Sequence, residues 1–215
     1  MPEASPQVPR PRIEGLSDLI FGLALSIGAI QLVGSVPQTE GALEIDLLAF
    51  GFSFLLLINI WNRYTALTSV MPVETTLMVR LNMALLFLVA VEPFLFNLMI
   101  VQGFGSVLGP RVSVYYALDI LAMNLILAYF IHILTLEEKN LIPRELIQTY
   151  KNNRDMLVIT SGVFIASMFP LYWAIAFQGV PLRIILWVTT FPMTWGARFV
   201  NRRAGSAPRA DLHLG

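Results

Sequence analysis

The chain has 215 residues, 56% of them hydrophobic and only 13% charged, with 14 basic and 14 acidic side chains that cancel. Soluble domains carry roughly 25% charged residues, so this composition leaves too little polar surface to coat a water-soluble globule. There is no cysteine, which excludes disulfides, thiolate metal sites and cysteine nucleophiles; two histidines, His132 and His213, are too few for a histidine-built metal centre.

A helix needs about 20 apolar residues to cross the hydrocarbon of a bilayer. Six stretches meet that requirement. The first is predicted over residues 16–36 and stops before Pro37. It is longer than a signal-peptide core and no small-residue cleavage site follows it, so it is read as retained. The second is predicted over 45–68, the third over 81–101, the fourth over 114–136, the fifth over 156–177 and the sixth over 182–200. Short connectors with prolines or charges separate them. Residues 137–155 form the longest and most polar connector, read as a loop. Pro2, Pro6, Pro9 and Pro11 mark 1–11 as a disordered arm, 12–200 is one transmembrane domain, and 201–215 is a polar tail.

Basic residues near helix ends stay on the cytoplasmic side. With the N-terminus inside, Arg10, Arg12, Arg63, Arg80, Lys139, Arg144, Lys151, Arg154, Arg198, Arg202, Arg203 and Arg209 fall inside, and only Arg111 and Arg183 fall outside. Both ends can share the positive side only if the number of spans is even, which agrees with six. The expected fold is an all-α, multi-pass integral membrane protein with six transmembrane helices and cytoplasmic termini.

Polar residues inside spans are costly and are functional candidates by default. Glu92 stands before Pro93 in the third span, and two readings stay open: a proton or cation path, or pairing at the outer surface. In the fourth span, Asp119 is read as bonding a neighbouring helix, beside Asn124 further along, and His132 as interfacial. Trp61, Tyr64, Tyr115, Tyr116, Trp173, Trp187 and Trp195 fit an interfacial aromatic belt.

The first span differs from an ordinary anchor. Asp18 lies at its cytoplasmic end, where Arg12 or Arg63 would serve as a partner. Leu16, Ile20, Leu23, Ile27 and Ile30 follow one another at steps of four and three, so they share a stripe. Gly22 with Ser26, and Ala24 with Gly28, are pairs of small residues that allow close helix approach. The stripe admits two readings, simple packing or a pore lining whose branched side chains gate by dewetting. Gln31, just beyond it, either orients water at an outer mouth or packs against a neighbour.

The run Arg12-x-x-x-Leu16-Ser17-Asp18 resembles the Arg-x-x-x-Phe-Ser-Asp signature that opens the first helix of the transmembrane protein 175 family of potassium channels. Trp61-Asn62-Arg63-Tyr64 is similar to that family's Trp-x-x-His-x-x-x-Phe stretch, although the histidine-rich end of the family's second helix lacks His here and Asn62 and Arg63 occupy that region. The run from Leu81-Asn82 to Glu92-Pro93-Phe94 is similar to its third helix. The resemblance implies a homotetramer in which four first helices line a central pore. It implies a constriction at Leu23, Ile27 and Ile30, with the Ser26 hydroxyl lining the pore. Arg12, Leu16, Ser17, Asp18, Trp61, Asn62 and Arg63 would form the signature and its cytoplasmic network.

The expected function is therefore a cation channel, potassium-conducting, in the cell membrane of a prokaryote. A Thr-Val-Gly-Tyr-Gly filter is missing, which excludes carbonyl-ring selectivity of the usual kind. The expected partners are the lipid bilayer, further copies of the chain and monovalent cations, without nucleic acid, cofactor, metal or enzymatic activity. A proton-coupled secondary transporter using Glu92 and Asp119 is the alternative.

Overall fold

A computed structural model describes residues 12–34, 40–70, 75–102, 106–136, 142–177 and 180–192. The arm at 1–11 and the tail at 201–215 lie outside the described residues. Among the described residues seven helices follow one another: α1 (Arg12–Gly34), α2 (Glu40–Thr68), α3 (Thr76–Gln102), α4 (Gly109–Leu134), α5 (Arg144–Ser167), α6 (Leu171–Ala174) and α7 (Leu182–Pro192). Two short antiparallel strands, β1 (Ala176–Phe177) and β2 (Val180–Pro181), join α6 to α7, with Ala176 opposite Pro181 and Phe177 opposite Val180.

The ends of these helices follow from local chemistry. Thr75 caps α3, its hydroxyl accepting the Met78 amide at 3.3 Å, which satisfies one of the donors a first turn leaves open. Pro110 sits in the first turn of α4, where the missing N–H costs nothing. Pro93 lies inside α3, so the carbonyl one turn earlier lacks its usual donor, yet the helix continues to Gln102.

Among the described residues, three stretches are long and apolar enough to cross a bilayer: Leu43–Thr68, Thr76–Gln102 and Gly109–Leu134. Shorter apolar helices occupy Gly15–Ile30 and Leu182–Pro192, the last described residues of α7. The outer surface carries large apolar side chains such as Leu48, Phe87, Phe94 and Phe169, as expected of a surface solvated by lipid.

The fifth helix departs from the sequence expectation. It was expected over 156–177 behind a polar loop, but α5 begins at Arg144 and ends at Ser167. Ile147 and Tyr150 pack against the core and Leu157 is buried, at spacings of three and seven, so a polar segment is helical through its periodicity rather than its mean hydropathy. Pro170 disfavours a helical residue before it and stops α5 early.

Helix α4 is the centre of the bundle. It packs most extensively against α5 and α3, and α1 lies against α3 and α2. Its buried Tyr116, Ile120, Met123, Leu127 and Leu134 recur at three, four and seven residues, the period of one helix face. Ring contacts tie the helices together: Phe52 to Phe96 (6.0 Å) and Phe191 (5.5 Å), Tyr116 to Phe96 (5.5 Å) and Trp187 (5.2 Å), and Trp187 to Phe164 (5.8 Å). This corrects the aromatic-belt expectation. Tyr64, Tyr116 and Trp187 are buried core residues, whereas Tyr115 is exposed; Trp195 lies outside the described residues.

Candidate pore face and its anchors

Helix α1 has two unlike faces. Ser17, Phe21 (1% exposed) and Ala24 (1%) turn inward at steps of four and three. The Ser17 hydroxyl and the Tyr64 hydroxyl on α2 share a hydrogen bond of 2.6 Å, and the Phe21 ring lies 5.7 Å from that of Tyr64. A Cβ added at Gly28 would meet the Phe50 ring at 3.6 Å, so the Ala24–Gly28 pair faces α2 within the same chain. Trp61 Nε1 donates to Asp18 Oδ1 at 3.2 Å. The described partner of Asp18 is thus an indole rather than an arginine, and the Arg12 side chain lies outside the description.

The opposite face is uncovered. Leu19 (72%), Leu23 (60%) and Ile30 (67%) are exposed, Leu16 less so, and Ile20 and Ile27 are half-buried along the edge. Gly22 and Ser26 lie on this open face, and a Cβ at Gly22 would meet nothing within 4 Å. Ser26 Oγ donates to the Gly22 carbonyl at 2.8 Å. Its proton is therefore turned into the helix and its lone pairs face outward. Of the remaining signature residues, Asn62 is exposed and Arg63 half-buried. The structure brings Ser17, Asp18, Trp61 and Tyr64 together at one end of α1 and α2, while Leu23, Ser26, Ile27 and Ile30 stay on or beside the open face. The Gln31 side chain lies outside the description.

Glu92 is fully buried, not paired at an outer surface. Ser53 Oγ on α2 donates to its carboxylate, 2.9 Å from Oε1 and 3.2 Å from Oε2, and Tyr116 Oη on α4 donates to Oε1 at 3.0 Å. Asp119 is also buried, and its Oδ2 has no hydrogen-bond partner among the described residues, contrary to the expected bond to a neighbouring helix. His132 is exposed near the end of α4. A cavity of about 20 Å³, room for roughly one water, is lined by Asn59 and Arg63 of α2, Asn124 of α4, Thr160 of α5 and Thr190 of α7.

Sequence reasoning missed Arg183. Counted on the outer side at the start of the sixth predicted span, it is 1% exposed. Its guanidinium donates to the carbonyls of Ser167 (2.6 Å), Met168 (2.9 Å), Phe169 (3.2 Å) and Pro110 (3.2 Å) and to Ser113 Oγ (2.6 Å). It also lies 5.5 Å from the Trp173 ring centre. The carbonyls that α5 leaves open at its C-terminus are what it satisfies, so it joins α7 to the end of α5 and the start of α4. The early stop that Pro170 imposes on α5 was the available signal. Trp187 Nε1 adds a bond of 2.9 Å to Ser167 Oγ.

Apolar helices long enough to span, an apolar outer surface and polar side chains turned inward define an integral membrane protein. The family whose motifs the sequence resembles is also the family whose sequence model matches, over residues 12–93: "Endosomal/lysosomal potassium channel TMEM175". The fold is similar to that of a variant of the potassium channel MtTMEM175, solved in complex with a nanobody–MBP fusion, at 19% identity and a TM-score of 0.59, covering 96% of this chain and 98% of that one. It is similar also to a lysosomal potassium-selective channel TMEM175 homolog from Chamaesiphon minutus, at 17% identity and a TM-score of 0.59, covering 86% of this chain and 96% of that one. Both of these proteins are described as potassium channels. No curated protein matches the chain significantly.

Proposed function

We propose that the chain is one quarter of a potassium-conducting cation channel, a homotetramer in the cell membrane of a prokaryote. It crosses the bilayer six times with both ends inside, in accord with the twelve-to-two division of its basic residues. The observation that carries this reading is the uncovered face of α1. One helix cannot enclose a conduit, but four copies around an axis can, and this face presents branched apolar side chains with one outward-facing hydroxyl oxygen. Leu23, Ile27 and Ile30 form the constriction, which gates by dewetting, and Ser26 offers lone pairs to a passing cation. Arg12, Leu16, Ser17, Asp18, Trp61, Asn62 and Arg63 hold the cytoplasmic end of α1 against α2; the Ser17–Tyr64 and Asp18–Trp61 bonds support that role. The matched family and the two similar structures, all described as potassium channels, support the ion class. A transporter built on Glu92 and Asp119 is not favoured, because Glu92 is sealed inside the bundle.

Potassium flux into liposomes tests the assignment. Ile27→Asn and Leu23→Asn make the constriction polar and are expected to raise flux several-fold. Unchanged flux in both variants, or a monomer by light scattering in detergent, would overturn it.

A further inference from the structure

The polar cavity between α2, α4, α5 and α7 takes no part in the pore face. It measures about 20 Å³, above the roughly 10–15 Å³ that one water needs. Four helices of the same chain supply its polar lining: Asn59 and Arg63 from α2, Asn124 from α4, Thr160 from α5 and Thr190 from α7. Asn59 and Arg63 are four residues apart and so share a helix face, as do Ile120 with Asn124 and Thr160 with Phe164. We infer that the cavity is a binding site for one structural water molecule, which joins α2 to α4, α5 and α7.

The donors and acceptors around the cavity select its occupant. Thr160 Oγ1 donates to the Met156 carbonyl at 2.8 Å, and Thr190 Oγ1 donates to the Trp187 carbonyl at 2.6 Å. Both hydroxyl protons are committed to carbonyls of their own helices, so each oxygen has only lone pairs left for the cavity. The Asn124 side chain is 6% exposed and has no hydrogen-bond partner among the described residues. Its amide offers two donors and an acceptor oxygen. Arg63 brings the one formal charge of the lining, and a guanidinium can only donate. A cation suits the threonine oxygens but meets the guanidinium. An anion suits Arg63 and the amide but meets the threonine lone pairs. Water satisfies both sides, because it donates two hydrogen bonds and accepts two. A buried amide left without a partner is costly, and the water removes that cost. It also links α2, whose Trp61 and Tyr64 are bonded to α1, to the three helices behind it.

Hydroxyl-radical labelling by X-ray pulses tests this on the full-length protein in detergent, without reference to conduction, because a bound water split in place oxidises the side chains beside it. Phe164 lines the cavity and is 1% exposed; Phe130 is equally buried, stands outside the lining and serves as control. Phe164 should hydroxylate several-fold faster than Phe130, and should carry the heavy isotope after equilibration in water enriched in heavy oxygen. The double variant Thr160→Val, Thr190→Val keeps the side-chain shapes and removes both acceptor oxygens. In it the labelling of Phe164 should fall several-fold and that of Phe130 should not change. Phe164 labelled no faster than Phe130 in the wild-type chain overturns the proposal, and this comparison needs no variant to fold. Unchanged labelling of Phe164 in the double variant overturns it as well. So does a rise when chloride is replaced by gluconate or potassium by N-methylglucamine, since that would place an ion rather than a water in the cavity.

Discussion

Replacing Arg183 by alanine separates two accounts of the same charge. As an exposed cation at the outer end of a span it would be dispensable, because surface substitutions change stability by less than about 0.5 kcal/mol. Buried as it is, its loss strips donors from Ser113 Oγ and from four carbonyls at the end of α5 and the start of α4. Hydrogen bonds to charged groups contribute about 1.5–3 kcal/mol each. Three of the five are short, at 2.6, 2.6 and 2.9 Å. The desolvation of the guanidinium offsets part of their sum, so the net loss is about 3–5 kcal/mol. At about 2–4 °C per kcal/mol for a chain of this size, the melting point should fall by roughly 6–20 °C. Arg183→Lys should recover little, because an ammonium has three donors on one atom and cannot fan across acceptors on two helix ends. The assay is thermal unfolding in detergent followed by circular dichroism, with the exposed Arg111→Ala as control. Equal melting points for Arg183→Ala and Arg111→Ala would refute the weld.

Two further outcomes concern α1. Ser17→Ala and Tyr64→Phe each remove a partner from a buried bond of 2.6 Å, and a double-mutant cycle in denaturant should return a coupling of about 1 kcal/mol. A coupling near zero would mean that the bond does not hold α1 to α2. The glycines should behave oppositely: Gly28→Ala places a methyl in ordinary contact with Phe50 and should stabilise by about 0.5–1 kcal/mol through helix propensity, while Gly22→Leu fills open space in one chain and should leave secondary structure intact but abolish the proposed tetramer in light scattering. A lower melting point for Gly28→Ala, or an intact tetramer in Gly22→Leu, would contradict these faces.

Much of the fold was legible because lipid imposes a simple requirement, a run of apolar residues of fixed length, and α2, α3 and α4 announce themselves in that way. The same requirement misled at α5. Residues 144–155 form a helix whose evidence is periodic, in Ile147, Tyr150 and Leu157, and a measure of mean hydropathy averages it away. Side-chain partners were less legible than helices. Asp18 sits where a charge needs company, which composition reveals, but an arginine was the expected partner and Trp61 is the one described, because which neighbour reaches it depends on how α1 lies on α2. Tyr116 and Trp187 look interfacial by type. Their rings and polar atoms are satisfied inside only because Glu92 and Ser167 come from other helices.

Stability within one chain does not explain the open face of α1. Lipid covers exposed leucines and isoleucines at no cost, so Leu19, Leu23 and Ile30 alone would fit an ordinary lipid-facing helix. Gly22 and Ser26 do not fit it as well. A glycine inside a helix costs about 1 kcal/mol relative to alanine, and here no neighbour in the same chain approaches closely enough to require it. Gly28 shows the contrast, since Phe50 lies against it. Gly51 of α2 and Gly162 of α5 are open within the chain in the same way, so the space at Gly22 gains its weight from its place beside Ser26 on the open face of α1. Ser26 beside it turns a hydroxyl oxygen in the same direction, a feature that acyl chains do not reward and a hydrated cation does. The two residues together favour an axis shared with further copies over a face left to the bilayer.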